Sequence, residues 1–181
     1  ILLILFILII NFEKAYSSNQ IKIGLMVPLT GEFKEVGKSI LNATKLAVNK
    51  INNNKILIVP KDTKANPEIT LKVAKELRDS GIQIVIGPIF NKNLTYLDEL
   101  DKIIFLSLSN KVLKIPSNVI SAGINAESQV NTIKKFQKEF NIERTIFLIP
   151  QTDYKPEIEN AIKKTKIKLK EKFVYDTDPT K

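Results

Sequence analysis

The sequence contains no cysteine, no histidine and no tryptophan. Without cysteine the chain can form no disulfide, and it offers neither a thiol nucleophile nor a thiol for lipid attachment. Without histidine it also lacks a histidine-based triad and a His/Cys metal site. The glycine-rich phosphate-binding motifs and the G-x-S-x-G motif are missing too. These absences predict a protein that is not an enzyme and that has no catalytic residue, no metal site and no cofactor.

Arginine is scarce. Of the 28 basic residues only Arg78 and Arg144 are arginine, although the formal net charge is +9. Recognition of nucleic-acid bases and bidentate binding of phosphate groups both favour arginine over lysine. The lysines of this chain are spread over predicted helix faces and strand edges. We therefore interpret the positive charge as a solvated surface and predict no nucleic-acid partner.

One long apolar run is present, at residues 1–10 (ILLILFILII), and Ala15-Tyr16-Ser17 follows it. This small-x-small triplet is typical of a signal-peptidase site, so residues 1–17 are predicted to be an N-terminally incomplete signal peptide. The alternative is a membrane anchor, which needs about 20 apolar residues. The chain has no initiating Met and stops just after a predicted strand, as expected for a fragment. We predict export to the periplasm as a soluble protein without a lipobox cysteine.

Four segments share one pattern: an aliphatic, β-branched run that ends in small or polar residues or in proline. They are Ile21 to Gly31, Ile56 to Thr63, Ile82 to Asn91 and Ile103 to Asn110. Helical patterns separate them, which is typical of parallel strands joined by helical crossovers. The predicted fold class is therefore α/β, with parallel sheets flanked by helices.

Three helices are predicted between these strands. The first opens at Thr30-Gly31-Glu32 with Thr30 as a candidate cap, the second at Asn66-Pro67-Glu68, and a short third covers Leu94 to Leu100. The buried stripe of the first helix is predicted from a 3.6-residue period at Val36, Ile40, Leu41, Thr44, Ala47, Val48 and Ile51.

After Gly123 a second αβ pattern begins. A helix from Ala126 carries Val130, Ile133, Phe136 and Phe140 on one face. A strand at Thr145 to Ile149, a helix at Pro156 to Lys164 and a strand at Lys168 to Tyr175 follow. We predict a first lobe over residues 18–123 and the incomplete start of a second lobe over 124–181.

Polar residues follow the predicted strands, and in an open parallel sheet such loops gather at the carboxyl edge, where ligands bind. The candidate ligand-binding residues are Thr30, Gly31, Asn91, Ser107, Ser109, Asn110 and, across a cleft in the second lobe, Tyr154. Alternatives stay open: Thr30 and Asn91 are also candidate helix caps, and Tyr154 could be an exposed loop residue. Asp62, Asp98, Glu99 and Asp101 could pair as acids, but the last three better fit a solvated helix face.

An ordered set of motifs resembles the type I periplasmic binding proteins of the leucine-binding kind. The set is P-L-T-G at 28–31, Gly37, K-D-T at 61–63, N-P-E at 66–68, D-S-G-I-Q-I-V-I-G-P at 79–88, L-S-L-S-N at 106–110 and D-Y at 153–154. The resemblance covers residues 20–178. It implies a two-lobed solute receptor, often the binding component of an ABC importer with its permease, that closes around an amino acid or amide in the interlobe cleft.

The chain departs from that family at several ligand positions. Val36 stands where an aromatic residue is frequent, Asn91 where serine is usual, and Lys155 where glycine is usual. Lys111 falls at or near the position where the family has a threonine that helps to hold the ammonium group of the ligand. The resemblance therefore leaves leucine-like specificity open.

Other short sequence motifs of the chain resemble a second branch of the same fold. V-P-L-T-G, P-K-D-T, I-G-P-I-F, S-N and the later G-I-N-A-E-S-Q resemble the penicillin-binding-protein activators. That resemblance implies an envelope protein that regulates a peptidoglycan synthase by contact. We rank it closely behind the solute receptor.

Overall fold

A computed structural model describes residues 20–178 of the chain. The predicted signal peptide and the predicted mature start at Ser18 lie outside the described residues, as do residues 179–181.

Five parallel strands form the first sheet. They are β1 (Ile21–Val27), β2 (Ile56–Asp62), β3 (Ile84–Ile86), β4 (Ile104–Ser107) and β5 (Val119–Ser121). Their order across the sheet is β2-β1-β3-β4-β5. The parallel α/β class is thus confirmed, and the short extended piece expected near residue 119 joins the sheet as its fifth strand.

Helix α1 (Lys34–Ile51) connects β1 to β2, and helix α2 (Pro67–Asp79) connects β2 to β3. The strand order reverses between these two crossovers, so right-handed connections place α1 and α2 on opposite faces of the sheet. The main core lies under α2 and includes Met26, Val73, Ala74, Leu77, Val85 and Phe105. The reversal between β1 and β3 also leaves a crevice at their carboxyl ends, the usual ligand position in such sheets.

The second sheet has two described strands, β6 (Thr145–Pro150) and β7 (Leu169–Tyr175), which are parallel. Helices α3 (Ala126–Glu139) and α4 (Lys155–Thr165) pack on each other beside it. Their shared core contains Ala126, Val130, Ala161 and Ile167. The predicted lobe boundary near Gly123 falls between β5 and α3.

The predicted start of the first helix was wrong. Helix α1 begins at Lys34, its N-terminal flanking residue is Phe33, and no side chain caps it. The Thr30 hydroxyl is bonded to Asp62 instead. Because this partner is 32 residues away in the sequence, a local capping pattern could not reveal it.

The short helix predicted over 94–100 was also wrong. Two 3₁₀ turns, Asn91–Leu94 and Leu97–Glu99, replace it. Tyr96 separates them with a left-handed backbone (φ 70°), and Asn118 Nδ2 donates to the carbonyls of Leu97 and Leu100. A segment this short gains too few helical hydrogen bonds to outweigh such tertiary contacts.

Two predicted apolar stripes are less buried than their periodicity indicates. In α1 only Gly37 is buried, while Val36 and Ile51 are exposed. In α3 Val130 is buried, but Phe136 and Phe140 are 52% and 57% exposed. Helix α3 packs chiefly on α4, and the outer part of its stripe stays largely exposed among the described residues.

Two glycines allow the close packing at the carboxyl edge. A Cβ atom on Gly37 would lie 1.7 Å from the carbonyl oxygen of Pro28, so α1 rests directly on the loop after β1. Gly87 ends β3 with φ +102°, and a Cβ atom there would lie 2.2 Å from the Met26 carbonyl oxygen. Only glycine fits both the positive φ and the short distance.

Candidate binding site

The loops after β1, β3 and β4 lie side by side at the carboxyl edge, because these three strands are neighbours in the sheet. The rings of Phe33 and Phe90 join the first two loops, with centroids 4.7 Å apart. The Ser107 hydroxyl joins the other two by donating to the Pro88 carbonyl at 3.1 Å. We call residues 28–33, 87–91 and 107–110 the rim. The structure thus brings together the three turns that the sequence analysis placed on one edge.

The β1 loop of the rim is anchored by Asp62, the last residue of β2. Its carboxylate accepts hydrogen bonds from Leu29 N (2.8 Å), Thr30 N (3.4 Å), Thr30 Oγ1 (2.5 Å) and Lys64 N (2.9 Å). Gly31, next in the loop, has φ +79°, and its carbonyl accepts from Lys34 N. The loop is therefore held in place from the end of the adjacent strand.

These bonds keep the Asp62 carboxylate ionised. Partial burial on its own would raise the pKa of Asp62, but the hydrogen bonds from the Thr30 hydroxyl and from the backbone of Lys64, Leu29 and Thr30 together lower it. In the sequence, Asp62 is only one of several acids that could pair. Its place at the end of an aliphatic, β-branched run was the available signal for a role at this edge.

The β4 loop is organised by two buried serines. Ser107 is fully buried, and its Oγ also accepts a bond from Ser109 N at 3.1 Å. Ser109 Oγ in turn accepts from Lys111 N at 3.2 Å, and Ser121 Oγ donates to the Ser109 carbonyl at 3.0 Å. Both hydroxyls therefore order the loop from within, and a direct role for them in holding a ligand stays a prediction.

Tyr154 reaches the rim from the second αβ unit. Its hydroxyl donates to the Asn110 carbonyl at 3.3 Å. Burial raises the pKa of Tyr154 and the nearby Glu157 charge raises it further, against a lowering interaction with the Ala126 backbone. The phenol therefore stays protonated at neutral pH and acts as the donor.

Glu157 makes a second connection that the sequence analysis missed. It lies in the first turn of α4 and is 3% exposed. Its Oε1 accepts from Val112 N at 3.2 Å and from Leu113 N at 2.9 Å, while its Oε2 is buried without a hydrogen-bond partner. An acid in a first helical turn is common, so nothing in the sequence singled Glu157 out.

Asn91 begins a 3₁₀ turn at the outer end of the β3 loop. It is half-buried and borders a cavity of about 440 Å³, whose other lining residues are Leu94, Thr95, Tyr96, Asp98, Lys114, Ile115 and Pro116. None of the other predicted ligand-binding residues lines this cavity. By its position in the sequence Asn91 is thus part of the rim, but in the structure it lines this cavity beside the rim.

No helix between residues 20 and 178 is both long and apolar enough to cross a membrane. No group of three or more acidic side chains in that range is arranged to hold a metal ion.

Among solved structures, full-length LpoA from Haemophilus influenzae is similar to this chain, with a TM-score of 0.68 and 18% identity over 92% of this chain and 33% of that one. A branched-chain amino acid ABC transporter ligand-binding protein from Burkholderia xenovorans gives 0.66 and 14%, over 90% of this chain and 48% of that one. The leucine-binding protein LivK from Thermotoga maritima gives 0.56 and 16%, over 89% of this chain and 50% of that one. At these identities the likeness concerns the fold.

A sequence relative is the uncharacterized protein MJ1266 of Methanocaldococcus jannaschii, which is 30% identical over 109 residues. The match covers 54% of this chain and 26% of that protein. The chain thus spans about a quarter of that relative and one third to one half of the similar solved structures. The family model described as periplasmic binding protein matches residues 20–175, nearly the whole described range. The chain therefore belongs to the periplasmic binding protein family.

Proposed function

We propose that the protein is a non-enzymatic, extracytoplasmic solute receptor that holds a small polar ligand, such as an amino acid or amide, between its two lobes. The observation that supports this proposal best is the rim itself. Three loops from adjacent strands meet at the strand-order reversal, and a tyrosine from the second αβ unit contacts them. This is the usual position of a ligand site in a doubly wound sheet.

Binding would proceed by closure of the second lobe over the rim. Tyr154 and Glu157 are the described contacts from α4 and its preceding loop to the segment that follows β4. They would guide closure, while Asp62 keeps the β1 loop in a binding-ready position. By its family the receptor would act in the periplasm and deliver its ligand to an ABC permease.

The second candidate is a regulator of a peptidoglycan synthase that works by protein contact. LpoA, one of the similar structures, is a regulator of PBP1A. The observation that favours this alternative is the internal use of the Thr30 and Ser107 hydroxyls, which leaves fewer free donors for a solute. The exposed aromatic pair Phe136 and Phe140, with centroids 4.3 Å apart, offers an apolar surface for a protein.

A thermal-shift screen separates the two candidates. The intact protein is heated with amino acids, amides and peptidoglycan fragments, and a ligand at 100 times its Kd adds about 2.7 kcal/mol of stability. The receptor predicts a shift with at least one solute. No shift with any of them, together with binding to a purified peptidoglycan synthase, supports the regulator.

Variants then test the site with whichever solute shifts the protein. We expect Ser109→Ala to weaken its binding, because Ser109 orders the β4 loop of the rim, and the exposed Ser117→Ala serves as the matched control. Unchanged affinity in Ser109→Ala would contradict the assignment of the rim. Weaker binding in Asn91→Ala, with the exposed Asn42→Ala as its control, would instead place the solute in the neighbouring cavity that Asn91 lines.

A further inference from the structure

A cavity of about 680 Å³ lies in the second αβ unit, away from the rim. Its walls come from the C-terminal half of α3, from residues 141–143, which lead into β6, and from residues 166–168, which lead into β7. The cavity is therefore at the amino edge of the second sheet, whereas the Tyr154 loop follows the carboxyl end of β6. No rim residue is among its lining residues.

The lining side chains are mainly basic. They include Lys134, Lys138, Lys166 and Lys168 but only one acid, Glu143, and we call this space the basic cavity. Lysines near helix C-termini are common because they complement the helix dipole, and α3 and α4 both end here. Within residues 20–178, however, no ion pair joins Glu143 to these lysines. Each helix end contributes about −0.5 charge, which leaves an excess of about two positive charges.

Hydrogen bonds hold the walls of the basic cavity together. Gln137 is only 6% exposed, and its Nε2 donates to the Lys168 carbonyl at 3.2 Å. Lys134 Nζ donates to the carbonyl of Thr165, the last residue of α4, at 2.6 Å. These bonds fix the backbone before β7 against α3. Because Gln137 lines the cavity and the second hydrogen of its amide has no partner among the described residues, it adds a neutral donor beside the lysines.

A phosphate group suits this arrangement better than a carboxylate does. Lysine is a compact charge with three donors, whereas the fork of arginine matches a planar carboxylate, and no lining residue is arginine. A phosphate monoester carries about −1.5 to −2 charge at pH 7 and three acceptor oxygens, which corresponds to the positive excess. The volume falls within the roughly 300–1,000 Å³ of small-molecule sites, so an organic group has room beside the phosphate.

We propose that the basic cavity is a second ligand site, separate from the rim, that binds the phosphate group of a phosphate ester. Lys138, Lys166 and Lys168 would supply the charged donors and Gln137 the neutral one. The ester is either a free small molecule or the headgroup of a phospholipid, since both present the same chemistry. This inference goes beyond the receptor function and does not depend on it.

The first experiment titrates the intact protein with glycerol 3-phosphate, succinate and glycerol by isothermal titration calorimetry at neutral pH and low ionic strength. Glycerol 3-phosphate should bind at least about threefold more tightly than succinate, which spreads a similar charge over two carboxylates, and glycerol should not bind. Succinate or glycerol binding as tightly as glycerol 3-phosphate would overturn the proposal.

A parallel experiment sediments the protein with vesicles of phosphatidylglycerol or phosphatidylcholine. Binding of soluble glycerol 3-phosphate supports a free ester as the ligand. Binding to phosphatidylglycerol vesicles alone, with little binding to phosphatidylcholine, supports a lipid headgroup. If neither the soluble ester nor the phosphatidylglycerol vesicles bind, the proposal is wrong.

A double variant, Lys138→Gln with Lys168→Gln, tests the position of the site. It should weaken binding of the phosphate probe about tenfold, the combined effect of losing two partly exposed ion pairs. The matched control is Lys135→Gln with Lys170→Gln, which removes the same charge from exposed lysines of α3 and β7 outside the cavity. It should change the affinity by less than about twofold, because salt screens distant surface charges. Equal losses in both double variants would refute the site.

Glu143→Gln should have the opposite effect. Removing the acid from the basic cavity should tighten glycerol 3-phosphate or vesicle binding about threefold. A gain in affinity cannot arise from partial unfolding, so this variant guards against a folding defect in the lysine variants. Unchanged or weaker binding in Glu143→Gln would contradict the proposal.

Competition separates this inference from the proposed function. Glycerol 3-phosphate should not displace the solute found in the thermal-shift screen, and displacement would refute a separate site. If the phosphate probe binds and no solute does, the receptor function fails and the second site stands. If a solute binds and neither phosphate probe does, the receptor function stands and the second site is wrong.

Discussion

Replacing Asp62 with alanine should loosen the β1 loop and destabilise the protein by about 2 kcal/mol. Four hydrogen bonds end on this carboxylate, but only the one from Leu29 N at 2.8 Å is part-buried. A charge-assisted bond contributes about 1.5–3 kcal/mol. We assign about 1.5 kcal/mol to the Leu29 bond and about 0.5 kcal/mol to the exposed three together, since water replaces the lost acceptor there.

This loss of stability can be measured by thermal unfolding and by urea unfolding, both monitored by circular dichroism. For a chain of this size, about 2 kcal/mol corresponds to a Tm decrease of about 4–8 °C. Asp101→Ala is a suitable control, because Asp101 is exposed and the structure records no hydrogen bond or ion pair for it within residues 20–178. If Asp62→Ala were as stable as Asp101→Ala, the anchoring role of Asp62 would be wrong.

The pH dependence gives an independent check with Asp62→Asn. Folding lowers the pKa of Asp62, so the ionised carboxylate contributes stability above the usual aspartate pKa of about 3.9. That contribution is lost as the pH falls through the lower folded-state pKa. The stability difference between wild type and Asp62→Asn should therefore be constant near neutrality and shrink below about pH 4. A difference that grows in acid would contradict the direction of the shift.

Three other predictions test the packing. Gly37→Ala should destabilise the protein by about 1–3 kcal/mol in urea, because its Cβ would meet the Pro28 carbonyl at 1.7 Å; a neutral effect would mean that α1 does not rest on the loop. Asn66→Ala should cost about 1 kcal/mol by the same measurement, because Asn66 Oδ1 accepts from Ile69 N at 2.9 Å as the cap of α2. Phe136→Ala should cost less than the roughly 3–5 kcal/mol typical of a core phenylalanine, since this side chain is 52% exposed. A loss in the core range would show that the intact protein covers this face of α3.

The strands and their shared edge could be predicted from the sequence because the relevant signals are local. The run IQIVIGP combines β-branched residues with a glycine and a proline that stop the strand, and Gly87 indeed ends β3. Once parallel crossovers are inferred, the position of the loops follows from topology. The N-terminal cap of α2 at Asn66 was predictable for the same reason and is confirmed.

The partners of individual side chains could not be predicted, because they are distant in sequence. Thr30 fits a capping pattern, yet its hydroxyl bonds to Asp62 in another strand. Glu157 resembles any acid in a first helical turn, yet it binds the backbone 44 and 45 residues earlier. Periodicity also identified the apolar side of α3 without indicating how little of it the other described elements cover.

The most direct test of the rim as the ligand site is an NMR titration of the assigned, isotope-labelled protein with the solute that stabilises it most. We predict the largest amide shifts at residues 29–31, 89–91 and 107–110 and at Tyr154. Little change is expected around Lys134, Lys138 and Lys168, which line a separate cavity beside the C-terminal part of α3. Saturable shifts confined to that lysine-rich region, with the rim amides unmoved, would show that the solute binds elsewhere.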